Sequence, residues 1–235
     1  MPVFYCEHAT DREFQLPEDE SRHCIKVLRH KKGDTITVID GKGLEKKVRI
    51  ISDKPSKVVC ETISEQLVDR LKNFRVHIAI APTKNMDRTE WFVEKACELD
   101  IDEISFIFTE HSERKVLKTE RLHKKAISAL KQSGGRYRTI INEPVRWKQF
   151  LAKAHTEDQK FIAYVDHGNT ETIRKLAKNE LNYLIVIGPE GDFSPGEFQN
   201  ATKEGFKSIS LGSKVLRTET AGLIACHSFN FINDF

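Results

Sequence analysis

Hydrophobic and polar positions follow two regimes that change near residue 72. Before it, short apolar stretches alternate with polar residues at the period of strands, around 35–39, 44–51 and 57–63. Asp40-Gly41, lengthened by Lys42-Gly43, marks a hairpin connection between the first two. One helical segment over 17–28 sets Cys24, Ile25 and Leu28 on a common face. This pattern predicts a small β unit. After a polar, charged stretch at 64–73, strand-like runs near 75–81, 103–108, 160–165, 183–187 and 207–210 alternate with helical segments. Those helices are expected near 87–99, 118–132, 146–154, 170–178, 195–204 and 219–231. Strands separated by helices predict an α/β domain with a mostly parallel, covered sheet. The expected domains are therefore 1–72 and 73–235, with no internal repeat or low-complexity tract.

At 235 residues, 39% of them hydrophobic, the chain can build two cores. No apolar run reaches the length of a membrane span, and the first residues lack the apolar stretch of a signal peptide. A cytoplasmic protein with no membrane partner is expected. Cys6, Cys24, Cys60, Cys97 and Cys226 are widely spaced and form no C-x-x-C pair. They are expected as reduced, buried small hydrophobes, not as ligands of a metal. The net charge of +3 hides an imbalance, because 110–150 carries eleven basic residues against four acidic ones. Such a block suits phosphate contacts, although a solvated helix face explains it equally well on charge alone.

Two turns carry the candidate chemistry. Gly188-Pro189-Glu190-Gly191-Asp192-Phe193-Ser194 follows the apolar run 183–187, and 211–221, starting Leu211-Gly212-Ser213-Lys214, follows Ser208-Ile209-Ser210. Both run from a strand into a helix, which is where open α/β sheets bind ligands. Neither is a G-x-G-x-x-G or Walker A sequence. Gly188 and Gly191 permit close backbone approach, Pro189 stiffens the turn, and Ser194, Pro195 and Glu197 form a capping box. Asp87 with Glu90 three residues on suggests a second capping box. No zinc-protease, zinc-deaminase or G-x-S-x-G pattern accounts for the nine histidines.

The two turns, in this order, resemble those of the knotted SPOUT methyltransferases, and more narrowly the bacterial small-subunit methyltransferase E family, which methylates uridine N3 of 16S rRNA. Lys84-Asn85-Met86-Asp87-Arg88-Thr89-Glu90 with Lys95-Ala96-Cys97-Glu98-Leu99 is similar to that family's helix signature. Thr109-Glu110-His111-Ser112, Gln132-Ser133, Arg22-His23, Val27-Leu28-Arg29 and Gly33-Asp34 also match, so the resemblance extends from about residue 22 to 221. His111 stands where the family usually has arginine, and Asp192 where it usually has glycine.

The resemblance implies a C-terminal SPOUT-type trefoil-knotted α/β domain and a small N-terminal PUA-like β-barrel domain that binds RNA. It implies a homodimer, ribosomal RNA of the small subunit as partner, and S-adenosyl-L-methionine as methyl donor without a metal. Three turns would hold that cofactor, near Asp166-His167-Gly168, 188–193 and 211–217. The cofactor-binding candidates are Gly188, Pro189, Glu190, Gly191, Leu211, Gly212, Leu216, Thr220 and Ala221. Arg217 and Glu219 are the catalytic candidates, with Arg217 facing charge that develops on the uracil oxygens. The base that takes the N3 proton stays open among Glu190, Glu219 and water. Arg22, His23, Arg29, Lys84, Arg88, Arg114, Lys118 and Arg121 are the RNA-binding candidates. Two alternatives stay open: a different RNA target, such as a ribose 2′-hydroxyl, or a non-catalytic RNA-binding assembly factor.

Overall fold

The computed structural model describes residues 2–153, 155–165 and 168–235. The chain divides into two compact units, one running to Leu71 and including Ile127–Arg138, the other holding Lys72–Ala126 and Thr139–Phe235.

The first unit contains β1 (Val3–Tyr5), β2 (Glu13–Gln15), α1 (Glu18–Arg22), β3 (Thr35–Ile39), β4 (Leu44–Lys54) and β5 (Lys57–Leu67). Its sheet order is β1-β3-β4-β5-β2, an antiparallel meander of β3, β4 and β5 with β1 added in parallel to β3. Alternation along β4 buries Val48 and Ile50 while Lys47 and Arg49 face outward. Phe4, Leu16, Cys24, Ile36, Val38, Val58 and Cys60 complete this core. β1 and β2 have three residues each, too short for an alternating pattern, and the sequence pattern misses them. The expected helix over 17–28 is α1 followed by a π-helical turn, His23–Val27. There the Leu28 N–H bonds the His23 carbonyl, an i→i+5 step that rotates Leu28 off the face shared by Cys24 and Ile25.

Ile127–Arg138 joins the first unit, although it follows the boundary near residue 72. Lys131 pairs with the buried Glu20, Arg136 with Glu45, and the Tyr137 hydroxyl donates to the Val68 carbonyl at 2.8 Å.

The second unit holds β6 (Val76–Ile80), α2 (Met86–Glu98), β7 (Glu103–Phe108), the start of α3 (Glu120–Ser133), β8 (Ile140–Arg146), α4 (Trp147–Leu151), β9 (Gln159–Ala163), α5 (Ile173–Leu176), β10 (Tyr183–Ile187), α6 (Pro195–Lys203), β11 (Lys207–Ile209) and α7 (Thr218–Ile232). Its six strands run parallel in the order β11-β9-β10-β6-β7-β8. Every residue of β6 and β10 is buried, as expected of central parallel strands covered on both faces. β8 is absent from the sequence pattern because it is an edge strand carrying Glu143, Pro144 and Arg146, which only an edge tolerates. α7 packs on α2 at Gly222, where a Cβ would sit 2.5 Å from the Phe92 ring, so only glycine allows this approach.

α2 starts one residue before the expected position. The Asn85 side chain, not that of Asp87, caps it by accepting from the Asp87 N–H at 3.0 Å. Glu90 is buried and paired with Arg121, so it does not close a capping box. α4 and α5 are shorter than their expected spans, and the five cysteines are free and buried. Burial pushes the Cys60 and Cys226 thiols up to about 12, which keeps them protonated and unreactive.

Candidate active site

The register of the sheet assembles the site. Ala163, Ile187 and Ile209 are direct lateral partners at the carboxyl ends of β9, β10 and β11. Three neighbouring strands therefore stop at one level, and the turns leaving them converge. Between those turns lies a cavity of about 670 Å³, within the range of small-molecule sites. Its walls are 163–165 with Asn169, Thr170 and Thr172, then 187–190 with Asp192, then 209–218 with Ala221.

Local bonds stiffen the second of these walls. The Ser194 capping box forms as expected, with Ser194 Oγ accepting from the Glu197 N–H and Glu197 Oε2 accepting from the Ser194 N–H. The other carboxylate oxygen of Glu197 accepts from the Glu110 N–H at 2.9 Å. His111 Nδ1 donates to the carbonyls of Gly191 and Asp192, at 2.9 and 3.0 Å. A Cβ on Gly191 would lie 3.0 Å from that of His111, so this turn and the 109–112 segment touch backbone to side chain. Asp192 has φ +58°, in the left-handed region that glycine and, among the rest, Asp and Asn accept. The backbone shape that a glycine would serve is thus kept by aspartate. Thr218 Oγ1 donates to the Gly188 carbonyl at 3.1 Å and joins the second wall to the third. Gly212, at φ +138°, occupies a conformation that strains any side chain.

Of the residues expected to hold cofactor, Gly188, Pro189, Glu190, Leu211, Gly212, Leu216 and Ala221 line the cavity. Gly191 lies behind the wall against His111, and Thr220 is not among the lining residues. Arg217 lines the cavity, exposed, as the N-cap residue of α7 with no capping bond from its side chain. Glu219 does not: it is buried, with Oε1 3.7 Å from Arg88 Nε. Of the expected third turn, Asp166 and His167 lie outside the described residues. Its flanks, Ala163–Val165 with Asn169, Thr170 and Thr172, line the cavity although no residue pattern marks them.

The RNA-binding candidates separate by their partners. In the first unit Arg22, His23 and Arg29 are exposed, Arg22 pairing with Glu18. In the second, Lys84 pairs with Glu113, which holds its ammonium above the usual lysine range, and Arg88 lies beside Glu219. Arg114 is committed to structure, donating to the carbonyls of Thr83 and Lys84 at 3.2 and 2.7 Å. Arg121 pairs with Glu90 and Lys125 with Glu94, while Lys118 is exposed and makes no such contact. With Lys131, Arg136 and Arg138, five of the eleven basic residues of the block thus pair with acids outside it. Among the described residues, no group of three or more His, Cys, Asp or Glu is placed to hold a metal, and no helix is long and apolar enough to cross a membrane.

The profile of a family described as RNA methyltransferase domain matches residues 70–230, and that of an RNA methyltransferase PUA domain matches 16–63. Ribosomal RNA small subunit methyltransferase E of Aquifex aeolicus is 30% identical over 226 residues, covering 94% of this chain and 95% of that protein. The crystal structure of a probable rRNA-methyltransferase from Porphyromonas gingivalis is similar with a TM-score of 0.92 at 37% identity, covering 100% of this chain and 99% of that one. A ribosomal RNA small subunit methyltransferase E from Neisseria gonorrhoeae, bound to S-adenosyl methionine, gives 0.86 at 26% identity, over 100% of this chain and 99% of that one. With the matched domains spanning both compact units, the chain belongs to the ribosomal RNA small subunit methyltransferase E family of RNA methyltransferases.

Proposed function

We propose that this protein transfers a methyl group from S-adenosyl-L-methionine to N3 of a uridine in the 16S RNA of the small ribosomal subunit. The observation that carries this reading is the cavity at the carboxyl ends of β9, β10 and β11, walled by backbone turns and bordered by Arg217. Its lining fits the cofactor chemically. Ile187, Leu211 and Leu216 offer apolar surface, Gly212 lets the backbone approach closely, and the free N–H groups at the start of α7 favour a carboxylate. When bound, S-adenosylmethionine supplies an already activated methyl group.

The chain's own residues do the rest. The walls hold the acceptor base in line, which removes much of the entropic barrier. Arg217, uncommitted to any cap, faces the negative charge that spreads over O2 and O4 as N3 loses its proton. Glu190 lines the cavity and accepts from the Lys84 N–H at 3.1 Å, so it or water receives that proton. Glu219 instead holds Arg88. Because N3 lies on the pairing edge, the uridine enters unpaired or flipped out.

Arg22, His23 and Arg29 on the first unit, and Lys84, Arg88, Lys118 and Arg121 on the second, contact RNA in this reading. Ile224 and Phe231, seven residues apart and exposed on α7, are the apolar surface for a second copy in a homodimer. The first unit's five strands curl as a PUA-like barrel, the last turns thread as a SPOUT trefoil knot, and the protein works in the cytoplasm. The test is transfer of labelled methyl from S-adenosylmethionine to small-subunit particles lacking modifications, with nucleoside mass spectrometry of the digested RNA. Labelled 3-methyluridine is expected. A 2′-O-methyl product would sink the N3 assignment, and absent transfer together with absent cofactor binding would sink the enzyme.

A further inference from the structure

One side chain joins two of the turns around the cavity. Asp192, on the turn after β10, accepts the Phe193 N–H on Oδ1 at 2.8 Å and the Val165 N–H on Oδ2 at 3.0 Å. Val165 lies on the turn after β9, which lines the cavity with Ala163 and Tyr164. The backbone of Asp192 is itself held, its N–H donating to the Pro189 carbonyl at 2.9 Å and its carbonyl accepting from His111. Phe193 is buried against Trp147, with ring centroids 5.1 Å apart, so the Oδ1 contact is anchored to the core. Each carboxylate oxygen of Asp192 thus accepts one backbone N–H within the wall, one from its own turn and one from the neighbouring turn.

We propose that Asp192 is a positioning residue that ties the turn after β10 to the turn after β9 and so sets the width of the cofactor cavity. This rests on the reading that the cavity takes S-adenosylmethionine. The chemistry explains why aspartate serves at φ +58° in place of glycine. Glycine satisfies the backbone conformation but supplies no tie. Asparagine accepts the same φ, yet its amide has one acceptor where two N–H groups must be met. Alanine loses the tie and adds strain.

The test uses the full-length protein with Asp192→Gly and Asp192→Asn, both compatible with the backbone. Calorimetric binding of S-adenosylmethionine is expected to weaken about tenfold in Asp192→Gly and about threefold in Asp192→Asn, the scale of hydrogen bonds to a charged group. The KM for S-adenosylmethionine rises by more than kcat falls, a split that general destabilisation would not produce. Independently of ligand, hydrogen exchange at the Val165 amide rises about tenfold in Asp192→Gly, because its acceptor is gone. Unchanged Val165 exchange, or unchanged cofactor affinity in Asp192→Gly beside a wild type that binds, overturns this inference alone. A wild type that binds no S-adenosylmethionine overturns the functional reading and this inference with it.

Discussion

At the amino ends of β6, β7 and β8, polar side chains bond to one another, whereas at the carboxyl ends of β9, β10 and β11 backbone turns face a cavity. The first group is His77, Ser105 and Asn142, joined by Glu157. His77 Nδ1 donates to Glu157 Oε1 at 2.6 Å, and Ser105 Oγ lies 2.8 Å from both His77 Nε2 and Asn142 Nδ2. Carboxylate, imidazole and hydroxyl stand in the order of a hydrolase triad. Yet Ser105 is 5% exposed and already accepts from Asn142, which itself also donates to Glu103 at 2.6 Å. This end of the sheet is a closed polar plug. The difference teaches that titratable residues in suggestive geometry are poor guides to a site when each is satisfied. Unfilled space between backbone turns is the better guide.

The largest expected effect lies at the open end. Arg217→Ala should lower kcat by about 10²–10³-fold, the scale of removing one group that faces developing charge. Cofactor affinity and melting temperature should stay near wild type, since Arg217 is exposed and makes no capping bond through its side chain. A variant with normal turnover would show that the cavity's border is as structural as the plug.

The plug should respond in the opposite way. His77→Ala leaves Glu157 and Ser105 without their ring partner and should cost about 1–3 kcal/mol of stability, with kcat unchanged when measured well below the melting temperature. Loss of turnover without loss of stability would reverse the assignment. Acid adds a finer test. Burial raises the Glu157 carboxyl, but the hydrogen bond from His77 and its charge outweigh this and hold it below the ordinary value of 4.5. A carboxyl lowered in the folded state contributes stability above its unfolded pKa, and that contribution fades as pH falls through the folded value. Glu157→Gln should therefore flatten the decline of stability below pH about 4.5 in chemical denaturation.

The open end was far more legible in the sequence than the plug. Tyr183-Leu184-Ile185-Val186-Ile187 running into Gly188-Pro189 announces a buried strand and its turn, and Ser194 with Pro195 and Glu197 announces the next helix. The glycine at 212 does the same for the third wall. The first wall was legible only through the family resemblance, which implies a turn near 166–168; no residue pattern marks Ala163, Tyr164 and Val165 as lining residues. Nor were the partners of the charged residues legible, since Lys131 meets Glu20 and Arg121 meets Glu90 across long stretches of chain. Glu219 shows the same limit. It is a catalytic candidate by resemblance, and nothing in the sequence marks that it is buried at the start of α7 beside Arg88.

The smallest expected effect concerns the basic block, which belongs with the plug if its charges are consumed and with the open end if they are free. Eleven cations in the sequence suggest a uniform phosphate surface, but the ion pairs predict unequal residues. Lys118 is exposed and unengaged, so Lys118→Ala should lower the slope of log K against log salt for RNA by about 0.7, the share of one phosphate contact on single-stranded RNA. Arg121 shares its guanidinium with the buried Glu90, so Arg121→Ala should change that slope by less than half as much. It should also lower the melting temperature slightly, because it leaves the Glu90 carboxylate without its cation. Equal slopes lost by both variants would mean that RNA displaces the Glu90 partner on binding. In that case the ion pairs compete with the substrate instead of forming fixed structure.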